Sequence, residues 1–269
     1  MADIPATGQL ILGTARWSRP GRAVPPQQAA RLLETATRLG VSGVDTAASY
    51  GSGRAERILG RHAPTELVIQ TKAGPPTYDW PEILQLPARA AQTVRQRLPR
   101  DAFPLPDRWA RSLALSLQRL RQETVDTFFI HSPRGDVLLE AYRSTAQELL
   151  ERGLTRSIGI SADRPVQQSI PPWCTVVQVD AQTALLERDR FTSLIRQGHR
   201  IQINRVMAAR PMLATQDVQA TVIALRSEVP GCDIVFSTND PAHINAWVAG
   251  FAGKTTDITH QATEARKPH

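Results

Sequence analysis

The sequence predicts a single-domain (β/α)8 TIM barrel, and three observations lead to this fold class. Short apolar runs alternate with longer amphipathic runs eight times, which is the pattern of a strand followed by a helix. The chain has 269 residues, close to the usual length of one such barrel. A doubly wound open sheet, the competing α/β fold, would carry G-x-G-x-x-G after its first strand, and this chain has GTARWSRPG there.

The elements can be assigned in chain order from their apolar periodicity. Strands are expected over residues 9–13, 42–45, 66–71, 126–130, 156–160, 175–179, 200–204 and 232–236. Helices are expected over residues 25–40, 53–62, 106–121, 136–153, 163–170, 187–198, 215–229 and 240–251. Proline and aspartate stand at several helix starts and glycine at several helix ends, as capping requires.

Two further segments complete the domain organisation. Residues 1–251 form the expected barrel, and the polar, unpatterned residues 252–269 are expected to be a frayed tail. Residues 73–105 are too long for a plain connector. Because they follow a barrel strand, we expect them to lie over the mouth of the barrel and to cover a substrate there.

Composition restricts the class of protein and its compartment. With 41% hydrophobic and 21% charged residues, the chain can form a core that requires no disulfide or structural metal. Cys174 and Cys232 lie in unrelated segments without C-x-x-C spacing, so we interpret them as buried thiols and expect no metal. The start, MADIPATGQL, lacks the regions of a signal peptide, and no window is apolar enough for a membrane span. We therefore expect a cytoplasmic protein without a membrane partner.

The net charge of +7 raises the question of a nucleic-acid partner. The basic residues are 29 arginines and three lysines spread along the helices, without a basic run of five or an aromatic-interleaved stripe. We therefore expect no nucleic-acid binding. A basic surface would still steer a multiply anionic small molecule, such as a phosphorylated cofactor, towards the protein.

Four residues of complementary chemistry fall at the carboxyl ends of neighbouring strands, where barrels of this kind carry their active sites. Asp45 ends the second strand, Tyr50 lies in the following loop, Lys72 follows the third strand and His131 follows the fourth. A free phenol, with a pKa near 10, is a weak proton donor at neutral pH. A neighbouring ammonium lowers that pKa, a carboxylate keeps the ammonium charged, and an imidazole can donate a hydrogen bond to a carbonyl.

Each of these residues also has a structural interpretation when taken alone. Asp45 could cap a turn, Tyr50 could pack on the rim, and His131 could bond to the backbone of its turn. Lys72 is harder to explain in this way, because a chain that uses arginine 29 times places one of its three lysines at a strand end. The coincidence of all four at one rim favours a catalytic site.

The sequence resembles the aldo-keto reductases, nicotinamide-dependent barrel oxidoreductases. The resemblance covers most of the chain in the family's order, through LGTA (12–15), GVDTAASYG (43–51), TKAG (71–74), SLALSLQRLRQETVDTFFIHSP (112–133), GLTRSIGIS (153–161), VQVDAQ (177–182) and IVFSTNDPAHI (234–244). It implies that Tyr50 is the general acid/base, that Lys72 and Asp45 tune it, and that His131 orients the carbonyl. The hydride would come from the nicotinamide.

The same resemblance implies a set of cofactor-binding residues: Thr14, Ser161, Gln178, Arg205, Ser237, Thr238, Asn239 and His243. Three positions depart from the family's pattern, since Arg205 stands where an aromatic residue often stacks on the nicotinamide, and Ala162 and Trp247 stand where asparagines are expected. The segment offers only His243 and hydroxyl groups for a 2′-phosphate. We predict NADPH as the cofactor, with NADH possible.

The expected substrate is a small to medium aldehyde or ketone, or the corresponding alcohol. Trp17, Tyr78 and Trp80 are the candidate substrate contacts and suggest an apolar or flat molecule. Two other functions stay open. One is a Schiff-base aldolase with Lys72 as the nucleophile, which would need a neutral lysine. The other is a cofactor-binding barrel without catalytic activity that serves as a regulatory partner.

Overall fold

The computed structural model describes residues 8–18, 23–74, 106–133, 139–162 and 169–253. Eight parallel strands close into one barrel in chain order, which confirms the predicted fold class. The strands are β1 Leu10–Gly13, β2 Gly43–Asp45, β3 Val68–Ala73, β4 Val125–His131, β5 Thr155–Ala162, β6 Val176–Asp180, β7 Arg200–Asn204 and β8 Asp233–Phe236.

The helices surround the barrel and follow the strands along the chain. They are α1 Pro26–Arg38, α2 Arg54–His62, α3 Pro106–Leu120, α4 Arg143–Glu151, α5 Ala181–Leu186, α6 Arg188–Arg196, α7 Arg210–Leu213, α8 Val218–Glu228 and α9 Ile244–Phe251. Short 3-10 turns precede three of them, at Leu139–Tyr142, Val206–Ala209 and Pro241–His243.

The first and last strands, β1 and β8, close the barrel, and both are buried on both faces. Every residue of β1 and of β8 is buried, as expected for parallel strands covered by helices. Leu10, Ile11 and Leu12 pair with Ile234, Val235 and Phe236, and this register joins the last strand to the first. The carboxyl ends of all eight strands therefore meet at one rim.

Several sequence predictions fall outside the described residues. These are the cover proposed for 73–105, apart from its first two residues, with Tyr78 and Trp80, and the tail at 252–269, apart from its first two residues. The helix expected at 163–170 is described only at its last two positions, which are not helical. In the described part of the chain, no helix combines the length and apolarity that a membrane crossing demands.

Candidate active site

A buried ion pair between β2 and β3 lies at the carboxyl-terminal rim. The Lys72 Nζ atom lies 2.5 Å from both carboxylate oxygens of Asp45 and 3.0 Å from the carbonyl oxygen of Thr46. The two side chains are 1% and 5% exposed. Buried charges are tolerated only when they are paired and hydrogen-bonded, and this pair meets both conditions.

Strand ends near this pair differ slightly from the sequence prediction. Lys72 lies inside β3 and His131 is the last residue of β4, whereas both were expected just after their strands. The expected strands stopped where apolar residues gave way to a charged or polar one. The ammonium of Lys72 is paired with the carboxylate of Asp45. Lys72 can therefore be a buried residue within β3.

Tyr50 approaches the ion pair from the turn that follows β2. The Lys72 Nζ atom lies 5.6 Å from the centre of the Tyr50 ring. The turn is tight, since Ser52 and the neighbouring glycines Gly51 and Gly53 all have positive φ. A side chain at Gly51 would also meet Ser18 at 2.5 Å, so glycine is needed there both for conformation and for space.

His131 completes the group of four predicted residues. Its ring centre lies 6.2 Å from that of Tyr50, with the two rings nearly perpendicular. Both side chains are partly exposed, in contrast to the buried pair beneath them. The structure therefore brings together a phenol, an imidazole and a lysine–aspartate pair, with the first two facing outwards and the charges below. This arrangement can donate a proton and a hydrogen bond to one small polar group.

A second polar cluster lies on β5, β6 and β7. The Ser161 hydroxyl donates to Gln178 Oε1 at 2.7 Å, and Asn204 Nδ2 lies 3.4 Å from the same oxygen. Asn204 Oδ1 is buried and has no hydrogen-bond partner in the described structure. Asn204 was not predicted as a site residue; the predicted residue was its neighbour Arg205, which is exposed and begins a turn with φ near 50°. A polar residue at the end of a barrel strand was the signal that could have identified Asn204.

The segment after β8 carries the predicted phosphate-binding residues. The Thr238 hydroxyl accepts from the Asp240 backbone N–H at 3.0 Å, and the Asn239 carbonyl accepts from Gln28. Asn239 Oδ1 is buried without a described partner. The side chain of Asp240 accepts from the backbone N–H of Ala242, so this donor at the start of the turn is already used. The partly exposed Ser237 completes this segment.

Three predicted residues have placements that change how they can act. Thr14 is fully buried and its hydroxyl lies 2.9 Å from that of Thr46, so it ties β1 to the strand that ends in Asp45. Trp17, a candidate substrate contact, is also fully buried in the hydrophobic core and presents no exposed face to a substrate. His243 is exposed, with Nε2 3.8 Å from the carboxylate of Asp240.

Comparisons with known proteins identify a family for this chain. The family model described as "Aldo/keto reductase family" matches residues 9–213. A D-threo-aldose 1-dehydrogenase from Pseudomonas sp is 29% identical over 170 residues, which cover 59% of this chain and 50% of that protein. The methylglyoxal reductase DkgB of Escherichia coli O157:H7 is 34% identical over 137 residues, which cover 48% of this chain and 40% of that protein. The alignments thus span half or less of the length of these curated relatives.

A solved structure shows the same fold at lower identity. An aldo-keto reductase from Klebsiella pneumoniae, crystallised in complex with NADPH, superposes with a TM-score of 0.66 at 17% identity, covering 93% of this chain and 88% of that one. The family match is independent of this likeness and spans more than half of the chain, including β1 to β7 and the four clustered rim residues. The chain therefore belongs to the aldo/keto reductase family.

Proposed function

We propose that this protein is an NADPH-dependent oxidoreductase that reduces a small aldehyde or ketone to the alcohol, or catalyses the reverse reaction. The observation that supports this function best is the buried Lys72–Asp45 pair beneath Tyr50, with His131 beside the phenol. The names of the two curated relatives, an aldose dehydrogenase and a methylglyoxal reductase, also support a small carbonyl or alcohol substrate.

The residues around the rim fit a nicotinamide dinucleotide. Asn204 Oδ1 and Asn239 Oδ1 are buried oxygens that no described group pairs, and unpaired buried acceptors are rare unless something else supplies a donor. The amide of a nicotinamide and the hydroxyls of a ribose are such donors. We assign Ser161, Gln178 and Asn204 to the nicotinamide carboxamide, and residues 237–239 to the pyrophosphate and ribose. Asn204 would then replace the contact that Ala162 cannot make.

Proton transfer is the part of the reaction that the chain itself performs. When bound, the cofactor supplies a hydride to the carbonyl carbon. Tyr50 donates its phenolic proton to the carbonyl oxygen, so that the alcohol is formed and a phenolate is left on the enzyme. The ammonium of Lys72 stabilises this phenolate by its charge, and Asp45 keeps the ammonium in place. Solvent returns the proton to Tyr50, which is partly exposed.

His131 has a different role in this proposal. Its ring stands nearly perpendicular to Tyr50 at the same edge of the site, so a carbonyl oxygen between them can accept from both groups. Two donors fix the oxygen more tightly than one and so hold the carbonyl group in one orientation. His131 therefore acts by orienting the substrate.

The contacts of Lys72 disfavour the aldolase alternative. A Schiff base requires a neutral amine, whereas both oxygens of Asp45 accept from the Lys72 ammonium in a buried site. The regulatory-barrel alternative predicts tight cofactor binding without turnover. The two hypotheses differ in the rate of turnover that they predict with carbonyl compounds, which is zero for the regulatory barrel.

The proposed function is tested by cofactor binding followed by turnover. NADPH and NADH are titrated separately against tryptophan fluorescence, and NADPH oxidation is then followed with a panel of small aldehydes and ketones that includes methylglyoxal. We expect tighter binding of NADPH and turnover with members of the panel. Binding without turnover would support the regulatory barrel, and tighter binding of NADH would overturn the cofactor preference.

A single variant tests the assignment of the proton donor. Tyr50→Phe removes only the hydroxyl, so the rate should fall by at least about 10², the contribution expected of a general acid. The dissociation constant for NADPH should stay nearly unchanged. Turnover near the wild-type rate would show that the four-residue assignment is wrong.

A further inference from the structure

Three amide side chains lie inside the barrel beneath the active site. Gln70 on β3, Gln178 on β6 and Gln202 on β7 are at most 2% exposed, and all three side chains meet inside the barrel. Barrel interiors are usually packed with branched apolar residues. A buried polar group is costly unless every donor and acceptor finds a partner, so this filling requires a specific network.

The network satisfies every amide N–H of the three glutamines. Gln70 and Gln202 donate to each other's oxygens, both at 2.9 Å. The second N–H of Gln70 donates to Asp45 Oδ1 at 2.7 Å, and that of Gln202 donates to Asp233 Oδ2 at 3.3 Å. Gln178 donates to Asp45 Oδ1 at 3.0 Å and to Gln202 Oε1 at 3.1 Å.

The two carboxylates fix the direction of the whole network. Ionised carboxylates only accept, so each amide must turn its nitrogen towards Asp45 or Asp233. Asp233 is itself held by Arg200 at 2.7 Å and by the backbone N–H of Gln9 at 2.8 Å. A network anchored in this way at both ends has one arrangement, because reversing any amide would set an oxygen against a carboxylate.

We propose that Gln70 and Gln202 are positioning residues for the proton donor, acting through Asp45. This inference rests on the proposed function. Gln70 holds the Asp45 oxygen that also accepts from Lys72, so it sets where the ammonium stands beneath Tyr50. Gln202 keeps Gln70 in the orientation that presents an N–H to Asp45. The role extends the active site one layer into the barrel.

The inference is tested with Gln70→Met, Gln202→Met and the double variant. Methionine has a similar length and flexibility but no amide, and the double variant removes both partners of the reciprocal pair, which costs less stability than leaving one unpaired. Thr71→Val is the matched control. It removes a buried 2.6 Å hydrogen bond to Glu56 from the neighbouring residue of the same strand, without touching Asp45.

The readouts separate chemistry from binding and from folding. In single-turnover experiments with NADPH and the best carbonyl of the panel, we expect the double variant to react about tenfold more slowly or worse, because small displacements of catalytic groups have large effects. Gln70→Met removes no hydrogen bond of a residue assigned to the cofactor, so its NADPH dissociation constant should stay within about twofold of wild type while its single-turnover rate falls. Thr71→Val should lower the melting temperature and leave the single-turnover rate unchanged.

Two results would overturn the inference, and a third would overturn the function on which it depends. A double variant that reacts at the wild-type rate would show that the amides only fill the barrel. Equal losses of rate in the double variant and in Thr71→Val would show that general loosening is the cause. A wild-type protein that oxidises NADPH with no carbonyl of the panel would overturn the proposed function itself.

Discussion

At the scale of single residues, the buried ion pair has two separable effects, on stability and on chemistry. Removing one partner of a buried pair leaves an uncompensated charge and costs about 3–5 kcal/mol. We therefore expect Lys72→Met to lower the free energy of unfolding by this amount and to abolish turnover. The double variant Lys72→Met with Asp45→Asn should recover most of the stability, because no charge is left unpaired, while staying inactive.

Urea denaturation and turnover measured on the same preparations check this prediction. The informative comparison is between the single and the double variant. If the double variant were as unstable as Lys72→Met, the loss would come from packing around the lysine stem and not from the isolated carboxylate of Asp45. If it regained turnover, the lysine would have no part in proton transfer.

The two cysteines predict an effect of alkaline pH on stability. Both are free and buried, and burial raises the pKa of the Cys174 and Cys232 thiols from 9.0 to about 12. The folded protein thus holds these protons more tightly than the unfolded chain. Their contribution is complete below about pH 9 and is lost as the pH rises towards 12.

We expect the urea midpoint to fall more steeply above pH 9 in wild type than in a variant with alanine at both cysteines. The measurement is a set of urea unfolding curves from pH 7 upwards, with the difference between the two proteins as the readout. Parallel pH profiles would mean that other groups govern the alkaline loss of stability.

Residues that obey a local rule were predictable from the sequence, whereas residues whose role depends on a distant partner were not. Asp45, Tyr50, Lys72 and His131 were predicted because each stands at or just after a strand end, where barrel sites are built. Gln70 and Gln202 were passed over, since their significance lies in a pairing across 132 positions of the chain. In the sequence alone, a polar residue within an apolar run indicates a position that faces solvent.

At the scale of elements, a buried glutamate fastens α2 and α3 to the barrel. Glu56 is fully buried, accepts from the Thr71 hydroxyl of β3 at 2.6 Å, and pairs with Arg119 of α3 at 2.6 Å. Glu56 thus links α2, β3 and α3 through one carboxylate.

We expect Arg119→Ala to lower the free energy of unfolding by about 3 kcal/mol, since the buried Glu56 carboxylate would keep the Thr71 hydroxyl as its one side-chain donor among the described residues. The matched control is Arg152→Ala, which removes an exposed pair with Glu148 and should cost about 1 kcal/mol or less. Chemical denaturation of the two variants gives the comparison. Similar losses in both would show that the burial of Glu56 adds nothing to its pairing.

The ends of an element were predictable where a clear apolar period marks it. They were harder to predict where one capping residue sets the start of a short helix. The strand at residues 200–204 matches β7 at both ends. Helix α5 was not predicted, because its six residues are too short to show a helical period. It begins at Asp180, whose side chain accepts from the backbone N–H groups of Gln182 and Thr183. An aspartate at the end of a strand does not by itself indicate that a helix follows.

At the scale of the whole molecule, the barrel was predictable because its strands are buried on both faces and therefore appear as short apolar runs. The filling of the interior was not predictable in the same way. Gln178 was predicted only as a cofactor contact, and its meeting with Gln70 and Gln202 inside the barrel was not predicted. Only the closed topology, which faces β3 towards β7, allows these amides to meet.

Cofactor binding by the whole molecule should appear as a thermal shift. A ligand that binds only the folded chain at 100 times its dissociation constant adds about 2.7 kcal/mol of stability. Each kcal/mol raises the melting temperature of a chain of about this size by about 2–4 °C, so saturating NADPH should raise it by roughly 5–10 °C. Scanning fluorimetry over a range of NADPH concentrations measures the shift, and its absence would contradict cofactor binding.

The same experiment decides between the two cofactors. The net charge of +7 attracts anions, and NADPH carries a further phosphate that NADH lacks. We therefore expect the NADPH curve to reach half of its maximal shift at a lower concentration than the NADH curve. Because exposed charges are screened within about 10 Å at 0.1 M salt, raising the salt concentration should narrow the gap between the curves. A gap that is insensitive to salt would assign the preference to direct contacts with the 2′-phosphate, and a reversed order would establish NADH as the preferred cofactor.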